Sequence, residues 1–224
     1  MNSWINFVPL HPSKIDEVMQ SKVSVSIPKA ALSELPLVTF PGEIIVIDTP
    51  DRVPEAVNDL RQHKLVGFDT ETRPSFHKGR TNKVALIQIS TDTRCYLFRI
   101  NKTGLTDDLR RFIEDTEVTK IGLSLKDDFF VLHRIGDFMP EGFIDLQEFV
   151  RPYGIIDSSL QRIYGIVFQE RISKSQRLSN WEADQLTIPQ QHYAAIDAWS
   201  CLRLYKELTA GRFSPENSPY IVIS

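Results

Sequence analysis

Only two cysteines, Cys95 and Cys201, occur in 224 residues, too few and too isolated for a disulfide framework or a Cys-x-x-Cys metal site. Both read as reduced thiols of a cytoplasmic protein. No apolar run approaches the roughly 20 residues that cross a bilayer, so no membrane partner is expected. The opening stretch 1–14 lacks the basic start and continuous apolar segment of a secretory signal. Excess positive charge is missing as well. Lys and Arg number 26 against 29 Asp and Glu, a net charge of −3, so the total does not advertise a nucleic-acid binder. There is no internal repeat and no low-complexity tract. The composition that remains, 42% hydrophobic and 25% charged, is that of a globular domain with room for a real core.

Residues 1–42 carry Pro9, Pro12, Pro28, Pro36 and Pro41 and no sustained period, which predicts an irregular or loosely packed leader. Regular structure is expected to start with the apolar run 43–48, followed by a helix over 53–63. The segment 65–69 reads as a buried strand whose acidic end continues to Glu71. A polar, basic loop over 72–82 leads to strands at 84–90 and 94–98, which predicts an antiparallel meander. The pattern then changes to a helix near 106–115, a strand at 119–123, a helix near 126–135 and a short strand near 142–144. Helical segments near 145–150 and 157–164 and a long helix from about Pro189 to Leu208 complete the series. Meander first, alternating helix and strand afterwards, predicts an α/β fold with a mixed sheet flanked by helices. The expected organisation is leader 1–42, domain 43–211 and surface tail 212–224.

Three patterns carry chemistry. Asp69 and Glu71 are two apart on a strand, so their carboxylates share a face. They repel unless a proton or cation intervenes, and Mg²⁺ or Mn²⁺, which prefer hard oxygen ligands, suit them. Asp115-x-Glu117 has the same spacing but lies between a helix and a strand and reads as a solvated turn. Tyr193 and Asp197 lie one turn apart on one helical face. Tyr153 and Asp157 repeat that spacing, but Pro152 and Gly154 argue against a helix there. Lys126-Asp127-Asp128 follows an apolar strand. Asp128 shares a helical face with Leu132 and Ile135 and turns inward, where a carboxylate needs a partner; Asp127 lies nearer the Arg134 side. Basic residues gather in Arg73, His77, Lys78, Arg80 and Lys83, and again in Arg171, Lys174 and Arg177.

The ordered set Phe68-Asp69-Thr70-Glu71, the segment 121–128 ending in Asp128, and the segment 192–198 carrying Tyr193 and Asp197 resembles the three exonuclease motifs of the DEDD superfamily. Its tyrosine variant includes ribonuclease D and the proofreading domains of DNA polymerases. The stretches 79–88 and 174–181 look most like the Werner-type exonuclease branch. The likeness spans about 43–208, and no catalytic position departs from the pattern. It implies a ribonuclease H-like fold and 3′→5′ hydrolysis of nucleic acid from a free 3′ end, with nucleoside 5′-monophosphates as products. It also implies two divalent cations held by Asp69, Glu71, Asp128 and Asp197, with Tyr193 orienting the attacking water. Lys83, Arg177, Arg80 and Lys174 are the expected phosphate contacts. Phe76 and Trp181 are candidates for stacking on a terminal base, although Trp181 also reads as a core residue. DNA is the expected substrate, in repair among other processes. The alternatives are a ribonuclease D-like RNA trimmer and a non-catalytic nucleic-acid-binding module.

Overall fold

The computed structural model describes residues 23–74 and 83–222. Six strands form one sheet: Glu43–Ile47 (β1), Leu65–Thr72 (β2), Val84–Ser90 (β3), Arg94–Phe98 (β4), Thr119–Gly122 (β5) and Phe143–Asp145 (β6). Their spatial order is β1-β4-β3-β2-β5-β6. The expected meander is present, with β3 antiparallel to both β2 and β4. The other pairings are parallel: β1 on β4, β2 on β5, and β5 on β6. All seven residues of β3 are buried, which explains why its sequence shows no exposed polar alternation and is apolar apart from the buried Gln88 and Ser90.

Helices cover both faces: Lys29–Glu34 (α1), Val53–Leu60 (α2), Ile100–Thr103 (α3), Asp107–Ile113 (α4), Leu125–Leu132 (α5), Leu146–Phe149 (α6), Leu160–Phe168 (α7) and Ile188–Thr209 (α8). Strand alternation divides the core in two. Val66, Phe68, Ile87 and Ile89 point to the layer of Val53, Val57, Leu109 and Phe112, from α2 and α4. Leu86, Cys95, Leu97 and Ile121 point to the opposite layer, which α8 fills with Ala194, Ala195, Cys201 and Leu204. A capping box starts α8: the Thr187 hydroxyl accepts from the Gln190 N–H, and the Gln190 side chain accepts from the Thr187 N–H. No helix among the described residues is long and apolar enough to cross a membrane.

Gly67 sets how closely α8 lies on the sheet. A β-carbon there would stand 1.9 Å from the carbonyl oxygen of Ala198, so only glycine permits this approach. The consequence is functional, because Gly67 precedes Asp69 by two residues and Ala198 follows Asp197 by one.

Two expectations need correction. The leader is not loosely packed where it is described: Val25 and Ile27 are fully buried, and Val38 and Phe40 join the same core. Val25 forms bridges with both Ile155 and Ile221, and the Ile27 N–H donates to the Asp157 carboxylate at 3.0 Å. The tail is tied in the same way, with Ser26 N–H donating to Tyr220 and Val222 N–H donating to Ser24. Isolated bridges leave no period, so periodicity could not reveal this packing. The helix expected over 157–164 instead runs from Leu160 to Phe168. Within the expected loop 72–82, residues 75–82 lie outside the described residues, and with them Phe76, His77, Lys78 and Arg80.

Candidate active site

At the end of β2 the side chains of Asp69 and Glu71 project to the α8 face, opposite Gln88 and Leu86 of β3. Asp197 of α8, held close by the Gly67 contact, meets them there. Asp69, Glu71 and Asp197 each present an oxygen within 4.8 Å of the other two. Three hard-oxygen donors in that span fit one divalent cation at ordinary metal–oxygen lengths of about 2.0–2.6 Å. The two look-alike pairs do structural work elsewhere. Asp115 binds Arg61 and caps its own turn through the Glu117 N–H, and Glu117 pairs with Lys64. Tyr153 closes a short 3₁₀ turn, and Asp157 pairs with Arg162 at 2.8 Å.

Asp128 approaches from α5. Its Oδ1 accepts the hydroxyl of Thr70, the residue between Asp69 and Glu71. Asp127 is exposed and faces Ser124 instead, at 3.3 Å. The start of α5 is set by Asp145 at the end of β6, whose carboxylate accepts the N–H groups of Ser124 (3.0 Å) and Leu125 (2.9 Å). Ser124 takes a left-handed backbone with φ 63° to enter the helix. Thr70 and Asp145 are positioning residues that the sequence reading missed. Neither has a spacing signal, since their partners lie 58 and 21 residues away.

Gathering four carboxylates in one half-buried place raises the proton affinity of each. Burial pushes Asp69 well above the usual carboxylate range, and the Asp197 charge adds to this. Glu71 is pushed up to about 10, by burial first and then by Asp69, Asp197 and Asp128, with Arg177 opposing. Burial raises Asp197 to about 7 against the hydrogen bond from Tyr193 and the charge of Lys174. Asp128 is raised by burial and by Asp69. A cation in their midst would relieve both causes, which is the electrostatic signature of a metal-binding set.

Tyr193 donates its hydroxyl to Asp197, and burial with the surrounding acids pushes the phenol far above its ordinary value. Its ring packs 6.0 Å from that of Trp181. Trp181 is fully buried, a core anchor and not a stacking platform. The segment around it is further held by Arg99 and Lys102, which donate to the carbonyls of Ala183 and Asp184. From this anchored segment Arg177 acts on Glu71 and Lys174 on Asp197. Lys83 is exposed immediately before β3, at the Glu71 end of the sheet, since Thr72 pairs with Val84. Arg80 lies outside the described residues. Gln88, cross-strand from Asp69, is fully buried, and its amide finds no hydrogen-bond partner among the described residues.

Comparison with known proteins places this geometry. The chain is 30% identical over 185 residues to the mouse bifunctional 3′-5′ exonuclease/ATP-dependent helicase WRN, covering 78% of this chain and 13% of that protein. It is 32% identical over 154 residues to a 3′-5′ exonuclease of Arabidopsis thaliana, covering 64% and 52%. The chain thus spans about half or less of the length of these two relatives. Among solved structures, the Aedes aegypti Nibbler EXO domain superposes with a TM-score of 0.67 at 23% identity, covering 78% of this chain and 92% of that one. Escherichia coli RNase D, an exoribonuclease involved in structured RNA processing, superposes with a TM-score of 0.67 at 21% identity, covering 75% and 44%. The architecture is therefore the ribonuclease H-like one. The 3′-5′ exonuclease family model matches residues 44–211, a span that holds all four carboxylates and Tyr193, and the chain belongs to that family.

Proposed function

We propose that the chain is a 3′→5′ exonuclease that removes nucleotides from a free nucleic-acid 3′ end, DNA ahead of RNA, and releases nucleoside 5′-monophosphates. The observation that carries this reading is the convergence of Asp69, Glu71 and Asp197 within one cation's reach. These three residues would hold one Mg²⁺ or Mn²⁺ ion. Asp69 with Asp128 would hold a second, Asp128 acting directly or through water. Bound there, such ions supply Lewis acidity at phosphorus, acidify the attacking water and neutralise the leaving 3′-oxygen.

The remaining work falls to side chains. Tyr193 keeps its proton, so it orients the attacking water and does not deprotonate it; its own hydroxyl is fixed by Asp197. Arg177 and Lys174 would hold phosphate oxygens of the strand, fixing its position without reading its sequence. Lys83, and Arg80 from the neighbouring loop, would add to this grip. The Tyr193→Phe variant is expected to lose about 10- to 100-fold in kcat with little change in KM, because orientation is lost while the ion ligands remain. Steady-state digestion with Mn²⁺ checks this, and an equal loss in a binding assay would contradict it.

One observation favours RNA as a second substrate. The fold neighbours include Trypanosoma brucei RNase D, solved in complex with RNA U12. Matched 3′-labelled DNA and RNA strands digested in parallel decide between them. Faster stepwise loss of mononucleotides from DNA is expected. Inertness toward both strands with Mg²⁺ and with Mn²⁺ would refute the exonuclease reading.

A further inference from the structure

A pocket of about 320 Å³ lies between α1, the first turn of α7 and the segment 171–174, which leads on to Arg177. Lys29 and Ser33 form one wall; Ser159 and Arg162 form another; Arg171 and Lys174 close it. Four of its lining side chains are cationic and none is a carboxylate. Two of the cations are fixed by the fold. Arg171 Nε donates to the Leu35 carbonyl at 2.8 Å, and Arg162 Nη1 donates to Asp157 at 2.8 Å. Each guanidinium keeps further N–H groups in a rigid fork suited to phosphate oxygens. Lys29 and Lys174 are exposed and form no ion pair within 4 Å among the described residues. The first turn of the nine-residue α7 begins at this wall without a side-chain cap. Lys174 belongs to both places, lining the pocket while its charge reaches Asp197.

We propose that this pocket binds a backbone phosphodiester of the strand whose 3′ end sits at the carboxylate cluster, so that the strand runs from Asp197 past Lys174 toward Lys29. The proposal rests on the exonuclease reading and adds a strand path to it. It also assigns a task to the leader: Lys29 and Ser33 lie outside the residues 44–211 that the family model matches. The fixed guanidinium forks suit an oxyanion, and Lys174, which lines the pocket and acts on Asp197, favours a polynucleotide reaching both places over a free anion.

The test measures equilibrium binding of labelled strands of about two and about eight nucleotides, with a hydrolysis-resistant 3′ linkage, alongside digestion of the normal strands. Parent, Lys29→Glu, Lys29→Arg and Lys64→Glu are compared, the last being an exposed charge elsewhere on the surface. In the parent, the longer strand binds more tightly. In Lys29→Glu that gain is expected to shrink about tenfold, and the slope of log affinity against log salt to fall by about 0.7, the contribution of one single-strand phosphate contact. Lys29→Arg restores both and Lys64→Glu changes neither. If the parent digests its substrate but Lys29→Glu keeps the full length gain and salt slope, the pocket assignment is overturned and the exonuclease reading stands. Displacement of the longer strand by polyglutamate of matched charge as readily as by unlabelled strand would overturn it in favour of an acidic-peptide site. A parent that digests no polynucleotide overturns the exonuclease reading and the strand path together.

Discussion

Asp197→Asn is expected to lose at least ~10³-fold in divalent-ion-dependent digestion, about 4 kcal/mol of transition-state stabilisation, while folding as well as the parent. Asparagine matches aspartate in shape and can still accept the Tyr193 hydroxyl, so the α8 packing over Gly67 is untouched. What disappears is one of three oxygens that share a cation's reach and one negative charge from the cluster. Removing that charge also relieves repulsion felt by Asp69 and Glu71. The variant should therefore melt at or above the parent temperature when ions are absent, and gain less from added Mn²⁺. Digestion at the parent rate would show that the proposed ligand set is wrong. A fall in activity accompanied by a lower melting temperature in the absence of ions would instead mean that Asp197 serves folding.

Stability in the absence of divalent ions should fall as pH rises, opposite to the behaviour of carboxylates held in ion pairs. Asp197 is raised from 3.8 to about 7 and Glu71 from 4.5 to about 10, and Asp69 and Asp128 shift the same way. Folded-state values above the unfolded ones mean that the native protein binds more protons than the unfolded chain across this window. The stabilisation is complete below the unfolded values, near pH 4. It declines from there upward, until about pH 7 for Asp197 and on toward about 10 for Glu71. Between about pH 5.5 and about pH 8.5 the melting temperature in chelator should drop by about 10 °C. Saturating Mn²⁺ or Mg²⁺ should remove most of that drop, because a bound cation takes over the role of the protons. Thermal melts at both pH values, with chelator and with ion, read this directly. A chelated protein that is equally stable or more stable at the higher pH would contradict the electrostatic account of the cluster.

Much of the site was legible in the chain because local periods report orientation. A two-residue strand period put Asp69 and Glu71 on one face, and a four-residue helix spacing did the same for Tyr193 and Asp197. The helix-face argument that chose Asp128 over Asp127 agrees with the structure, where Asp128 meets Thr70 and Asp127 stays exposed. The same reasoning discounted Asp115 and Tyr153, whose partners are structural. Burial of Trp181 settled what its residue type left open.

The residues alone determined the strands, the long final helix, the mixed character of the sheet and the direction in which each acid points. Those properties follow from backbone geometry over a few neighbours. Only the tertiary structure decided that Asp197 stands beside Asp69, because that meeting depends on a bare glycine beneath the Ala198 carbonyl, a contact across more than half the chain. It alone showed Asp145 and Thr70 steadying Asp128, the leader buried and the tail tied to it through single bridges, and Lys29 and Lys174 lining one basic pocket. Such pairings join distant segments without any repeat in sequence, so composition and periodicity carry no trace of them.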